Sequence, residues 1–71
     1  MPRHRQSSLQ MRLKIYLRRE SYIWICRRGA PGVNFGWILS YRDDERVLFK
    51  DDETHGPLPI PLRDIESCGA V

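Results

Sequence analysis

Apolar residues recur along this chain at two different periods. Leu9, Leu13, Tyr16 and Leu17 fall on one face at helical spacing. Met11, Leu13, Ile15 and Leu17 also alternate as in a strand, so periodicity alone leaves this segment open. Ser7 or Ser8 offers a side-chain oxygen to an orphan N–H at a helix start, and good helix formers follow. Together these features predict a helix over 8–19. From Tyr22 the pattern changes. Tyr22 to Cys26 is a β-branched and aromatic run and predicts a strand. Arg27 to Gly32, with two glycines and a proline, is a turn. Val33 to Tyr41 is a second strand containing Gly36, where glycine marks a sharp bend or a close backbone approach. Arg42 to Glu45 is a polar turn, Arg46 to Lys50 a third strand, and Asp51 to Pro57 an acidic loop. Leu58 to Ile60 is a short strand whose flanking prolines suit a sheet edge, and Leu62 to Ser67 is the last strand. One helix and five short, mostly consecutive strands outline a mostly β fold, a small and strongly bent five-stranded barrel. Residues 1–7 are polar without a period and predict a flexible basic arm. The domain then spans 8–67, and 68–71 form a short tail.

Length bears on how such a fold is stabilised. A chain of 71 residues holds one domain, and a domain of that size buries only about 60% of its unfolded surface. Disulfides, a metal or self-association usually supply the rest. Cys26 and Cys68 form no CxxC pair, and only His4 and His55, both in polar stretches, stand by to complete a four-ligand zinc site. No metal and no cofactor are expected. Without an apolar leader segment, both cysteines are expected as free thiols in a cytoplasmic protein, with Cys26 a small core residue. Self-association remains as the route to stability. No stretch is long enough to span a membrane.

Charge is divided unevenly. Residues 1–28 carry Arg3, Arg5, Arg12, Lys14, Arg18, Arg19, Arg27 and Arg28 against Glu20 alone, whereas residues 29–71 carry four basic and eight acidic residues, so the halves stand at +7 and −4. Such polarity suits a basic face for nucleic acid or another anionic surface. Arg3 and Arg5 are read as solvated arm charges. Nothing resembles a catalytic constellation. Asp43, Asp44, Asp51 and Asp52 sit in turns, where Asp bonds its own backbone, no His lies near a Cys or Ser in sequence, and phosphate-loop and dinucleotide fingerprints are absent. The chain is not expected to be an enzyme.

Several fragments taken together form a family pattern. Ser8-Leu9-Gln10, six residues, then Leu17-Arg18-Arg19-Glu20 resembles the N-terminal helix of the bacterial Hfq family of Sm-like (LSm) RNA chaperones. Gly36, sixteen residues after Glu20, stands at the spacing of that family's bent-strand glycine. Gly36 to Tyr41 resembles its Gly-x-Ile-x-Ser-Phe, Arg46 to Lys50 its next strand, and Leu62 to Ser67 its last. The resemblance covers residues 8–67 and implies a helix on an Sm-like (SH3-like) barrel. It also implies edge-to-edge pairing of neighbouring subunits into a hexameric ring. That ring would bind small regulatory RNA and mRNA in post-transcriptional regulation. On the same basis Arg18 and Arg19 correspond to rim arginines, Gln10 to the pocket glutamine, and Tyr41 lies near the pocket aromatic. The family's Lys-His pair reads Leu62-Arg63 here, which leaves Arg63 as a phosphate contact. Its adenine-binding residues fall on Arg27 and on Pro31 to Phe35, which do not match, so that specificity is not carried over.

The expected RNA-binding residues are therefore Gln10, Arg18, Arg19, Tyr41 and Arg63. Tyr41 and Trp37 offer rings for base stacking. Trp24, Phe35 and Trp37 are each first expected in the core or at an interface. The competing expectation is an SH3-like protein-interaction module, with Pro57, Pro59 and Pro61 shaping a groove or edge and the arginines incidental.

Overall fold

In the computed structural model the described residues are 3–42, 45–53 and 56–71, with side chains from residue 8 onward. Helix α1 spans Arg3–Arg19. It buries Leu13 completely and packs Leu9, Tyr16 and Leu17 against the core, while Met11 and Ile15 stay exposed. That burial decides for the helical period. The helix starts before the expected residue 8 and takes in most of the stretch read as a flexible arm. Arg and Gln there are good helix formers, so Ser7 and Ser8 lie inside the helix and neither caps it. The side chains of Arg3 and Arg5, and the polar turn at 43–44, lie outside what is described. So does His55, and so do the side chains of His4 and Ser7.

The helix closes on a residue in the left-handed region. Glu20 has φ 53°, its N–H bonds to Leu17 O at 3.2 Å, and Ser21 N–H bonds to Tyr16 O at 3.0 Å. This is a Schellman closure, with Glu where glycine would be easier.

Five strands follow: β1 (Ile23–Arg27), β2 (Asn34–Arg42), β3 (Arg46–Asp51), β4 (Pro57–Pro61) and β5 (Ile65–Ala70). Their order in one antiparallel sheet is β4-β3-β2-β1-β5. The last strand corrects the expected one. Leu62–Asp64 form a single 3-10 turn, and β5 runs from Ile65 to Ala70, through residues expected as a tail. Proline limits β4, and the turn buries Leu62, which consumes the first half of the expected strand.

Alternation along the strands sorts the two faces of the sheet. Ile23, Ile25, Ile38, Val47, Phe49, Ile60 and Ile65 point inward with Cys68 and meet Leu13 from the helix. Cys68 is therefore the core cysteine. Cys26 is half-buried on the other face, so the two thiols are on opposite sides of the sheet. Trp24 is half-buried, and Phe35 and Trp37 are exposed, so none of the three belongs to the core. The sheet bends in β2. Leu39 is bulged out of the pairing with β3. At Gly36 the backbones come so close that an added Cβ would lie 1.9 Å from the Lys50 carbonyl oxygen. The result is one helix on a bent, barrel-like antiparallel sheet. No described helix is long and apolar enough to cross a membrane.

Candidate nucleic-acid interface

A cavity of about 520 Å³ opens beside α1, lined by Leu9, Gln10, Arg28, Glu45, Leu62, Arg63 and Ile65. Four separate stretches build it, Glu45 coming from the turn before β3. Gln10 comes from the helix, Arg28 from the turn after β1, and Arg63 from the 3-10 turn. Arg28 is held in place by two bonds, its N–H to Asp64 O and its Nε–H to Arg63 O, both at 2.8 Å. On the other wall, Glu45 (φ 62°) accepts the Leu62 N–H at 2.9 Å. The lining thus joins an apolar floor (Leu9, Leu62, Ile65), one amide, two guanidinium groups and one carboxylate. Apolar contact suits a base or sugar, and the guanidinium pair suits phosphate. Glu45 opposes an anion there.

Tyr41 does not line this cavity. It is half-buried, with Lys14 Nζ 5.0 Å from its ring centre. Burial, and behind it the negative charge of Glu45, push its hydroxyl above the ordinary 10.0. Gln10, Lys14 and Arg18 lie four residues apart, so they share one stripe of α1. Arg18 and Arg19 are exposed in the last helical turn. Cations there also favour the negative end of the helix dipole. The structure brings together Gln10 and Arg63 of the expected residues. It sets Tyr41 beside Lys14, and leaves Arg18 and Arg19 at the far end of the stripe.

Sequence reasoning missed Arg28 and Lys14. Lys14 was within reach, since it falls midway between Gln10 and Arg18 at helical spacing. Arg28 was not, because its partner Arg63 is 35 positions away.

The outer face of β2 carries the opposite chemistry. The Tyr22 ring lies between Phe35 (6.2 Å, stacked) and Trp37 (5.0 Å, tilted), and its hydroxyl donates to Asp52. That bond, then burial, then the charges of Asp52, Asp51 and Glu53 raise the Tyr22 hydroxyl above the ordinary 10.0. Asp51 closes β3, buried, and accepts Asn34 Nδ2 and the Glu53 N–H at 2.7 Å each. Trp37 therefore sits in an aromatic row beside carboxylates, not at the basic cavity. No family model, curated protein or solved structure matches the chain.

Proposed function

We propose that this protein is an Sm-like, Hfq-like RNA-binding module that holds single-stranded RNA along α1 and in the adjoining cavity. Gln10, Arg28 and Arg63 take a nucleotide in the cavity, Lys14 and Tyr41 continue the path, and Arg18 with Arg19 bind phosphate at the helix end. The observation that carries this reading is the shared cavity: Gln10 and Arg63 lie far apart in sequence, yet both line it beside Arg28. Several copies assembled in a ring, most simply six, would repeat the basic stripe and supply the burial that one small domain lacks.

RNA affinity and particle mass test it. The parent should bind an unstructured RNA of about 20 nucleotides with affinity that falls steeply as salt rises, because phosphate contacts release counterions. Arg18→Ala with Arg19→Ala should weaken binding about tenfold, roughly 1.4 kcal/mol, and flatten the salt slope. Thermal stability should hardly change, since exposed charges contribute little. A double variant that binds like the parent removes these arginines from the path. A parent that binds no RNA at low salt leaves the protein-interaction reading. That reading has its own observation, the exposed Phe35, Trp37 and Leu39 along β2 with exposed Val33 just before it.

A further inference from the structure

At about 520 Å³ the cavity beside α1 is large enough for a nucleotide base, and its floor of Leu9, Leu62 and Ile65 suits the face of an aromatic ring. Glu45 is out of place in a site that takes phosphate alone, because an anion there would meet a carboxylate. A carboxylate accepts hydrogen bonds at both oxygens. It therefore suits a ligand edge that carries two donors side by side. The four RNA bases differ in this respect. Uracil sets its N3–H between two carbonyl oxygens. Adenine and cytosine each set an amino group beside a ring nitrogen that accepts. Guanine alone presents two adjacent donors, N1–H and the N2 amine.

Arg28 extends the match from the facing wall. Its backbone N–H to Asp64 O and its Nε–H to Arg63 O hold it from two sides, both at 2.8 Å. The two Nη nitrogens remain to donate as a pair, which is the complement of the O6 and N7 acceptors of guanine. Adenine has the N7 but carries an amino group in place of O6. Arg63 is exposed, and its guanidinium is left for phosphate. Gln10 both donates and accepts, so it does not choose between bases.

We infer that the cavity is a guanine site: Glu45 accepts N1–H and the N2 amine, Arg28 donates to O6 and N7, and Arg63 holds the phosphate. The inference rests on the RNA-binding reading above and names the base that reading leaves open. Glu45 becomes the selecting residue. A wrong base strips water from the carboxylate and returns no donor pair, and sites built on such hydrogen bonds reject the analogue that lacks them.

Oligouridines of about 20 nucleotides that carry one central guanosine, inosine, 7-deazaguanosine or adenosine test this. The guanosine oligomer should bind about tenfold tighter than plain oligouridine. Inosine lacks the N2 amine and 7-deazaguanosine lacks N7, so each should forfeit most of that gain. Adenosine should give none of it. Glu45→Gln should act with opposite signs on two probes. It should weaken the guanosine oligomer about fivefold, the cost of a mismatched donor pair. Plain oligouridine, which meets only the removed charge, should bind tighter. Thermal unfolding checks that the variant keeps the fold. Free guanosine monophosphate should compete only at far higher concentration, since it lacks the contacts along α1. Equal affinity whatever the central base overturns the inference and leaves the RNA reading standing. A guanosine preference that survives both inosine and Glu45→Gln overturns the role of Glu45. Guanosine monophosphate that binds as tightly as the oligomer keeps the guanine assignment and overturns the RNA path along α1. A parent that binds none of these probes at low salt overturns both readings.

Discussion

The cavity beside α1 and the outer face of β2 use the same ingredients, apolar side chains edged by ionisable groups, and differ in how the charges are held. Around the cavity, the two guanidinium groups and Glu45 come from turns, and Arg63 is exposed. Beside β2 the acids are tied down: Asp51 is buried and accepts two bonds, and Asp52 takes the Tyr22 hydroxyl. The first arrangement leaves charge available to a ligand. The second spends charge on holding the end of β3 to β2 and β1. Exposed aromatic rings alone therefore do not mark a nucleic-acid site. The Tyr22 ring packs against both Phe35 and Trp37, and the charge next to them has the wrong sign for phosphate.

The largest test asks whether the two regions are separable. Gly36 is set between Ile23 of β1 and Asp51 of β3. Its φ is not positive, so glycine is required by space, since a Cβ would strike the Lys50 carbonyl. Gly36→Val should cost about 3 kcal/mol through forced separation of β2 and β3, measured by urea unfolding. A domain this small unfolds as one unit, so RNA binding should fail together with the aromatic face, although Gly36 does not line the cavity. Binding that survives while the near-ultraviolet signal of the aromatic row is lost would show two independent units.

Much of this comparison was legible in the sequence, and the illegible part has a physical cause. The strands were readable from local patterning, and Gly36 from its place inside an apolar run. The helix stripe followed from spacing once Leu9, Leu13, Tyr16 and Leu17 were taken as one face. The last strand was misplaced because Leu62 to Ser67 alternates well enough for a strand, while Leu62 reaches the core from a 3-10 turn. The cavity was legible only residue by residue: Gln10 and Arg63 were named on resemblance, but their shared lining depends on a turn at Arg28 that pairs with Asp64 and Arg63 far along the chain. Phe35 and Trp37 were expected inside or at an interface on hydrophobicity, yet the parity of β2 sends them to the outer face.

A smaller effect sharpens the electrostatic half of the comparison. Glu45→Gln and Glu53→Gln each remove one exposed negative charge, the first from the basic cavity and the second from the acidic side. At low salt Glu45→Gln should tighten RNA binding about threefold, roughly 0.6 kcal/mol. Glu53→Gln should do clearly less, because screening limits exposed charges to a Debye length of about 10 Å at moderate salt. Equal gains would mean that RNA senses net charge alone and that the cavity has no special part.

The smallest effect contrasts the two tyrosines, Tyr22 on the acidic side and Tyr41 beside Lys14. Both hydroxyls are raised above the ordinary 10.0, but for different reasons: the bond to Asp52 leads for Tyr22, and burial leads for Tyr41. A group whose folded value is raised holds its proton more tightly when folded. Stability is thus unaffected below the ordinary value and falls as pH climbs through and beyond it. For Tyr22 the ionised ring would lose its donor and face Asp52, Asp51 and Glu53 together. Tyr22→Phe should therefore flatten the decline in stability above pH 10 and leave the neutral-pH curve close to that of the parent. Salt separates the two tyrosines further. The carboxylate contribution at Tyr22, whose bond to Asp52 lies at the surface, is screened by added salt, while the burial at Tyr41 is not. Tyrosinate absorbance should show one late transition moving toward the ordinary value as salt is added and a second holding still. If both move together, charge governs Tyr41 as well, and the contrast between a ligand-facing and a self-satisfied region weakens at that residue.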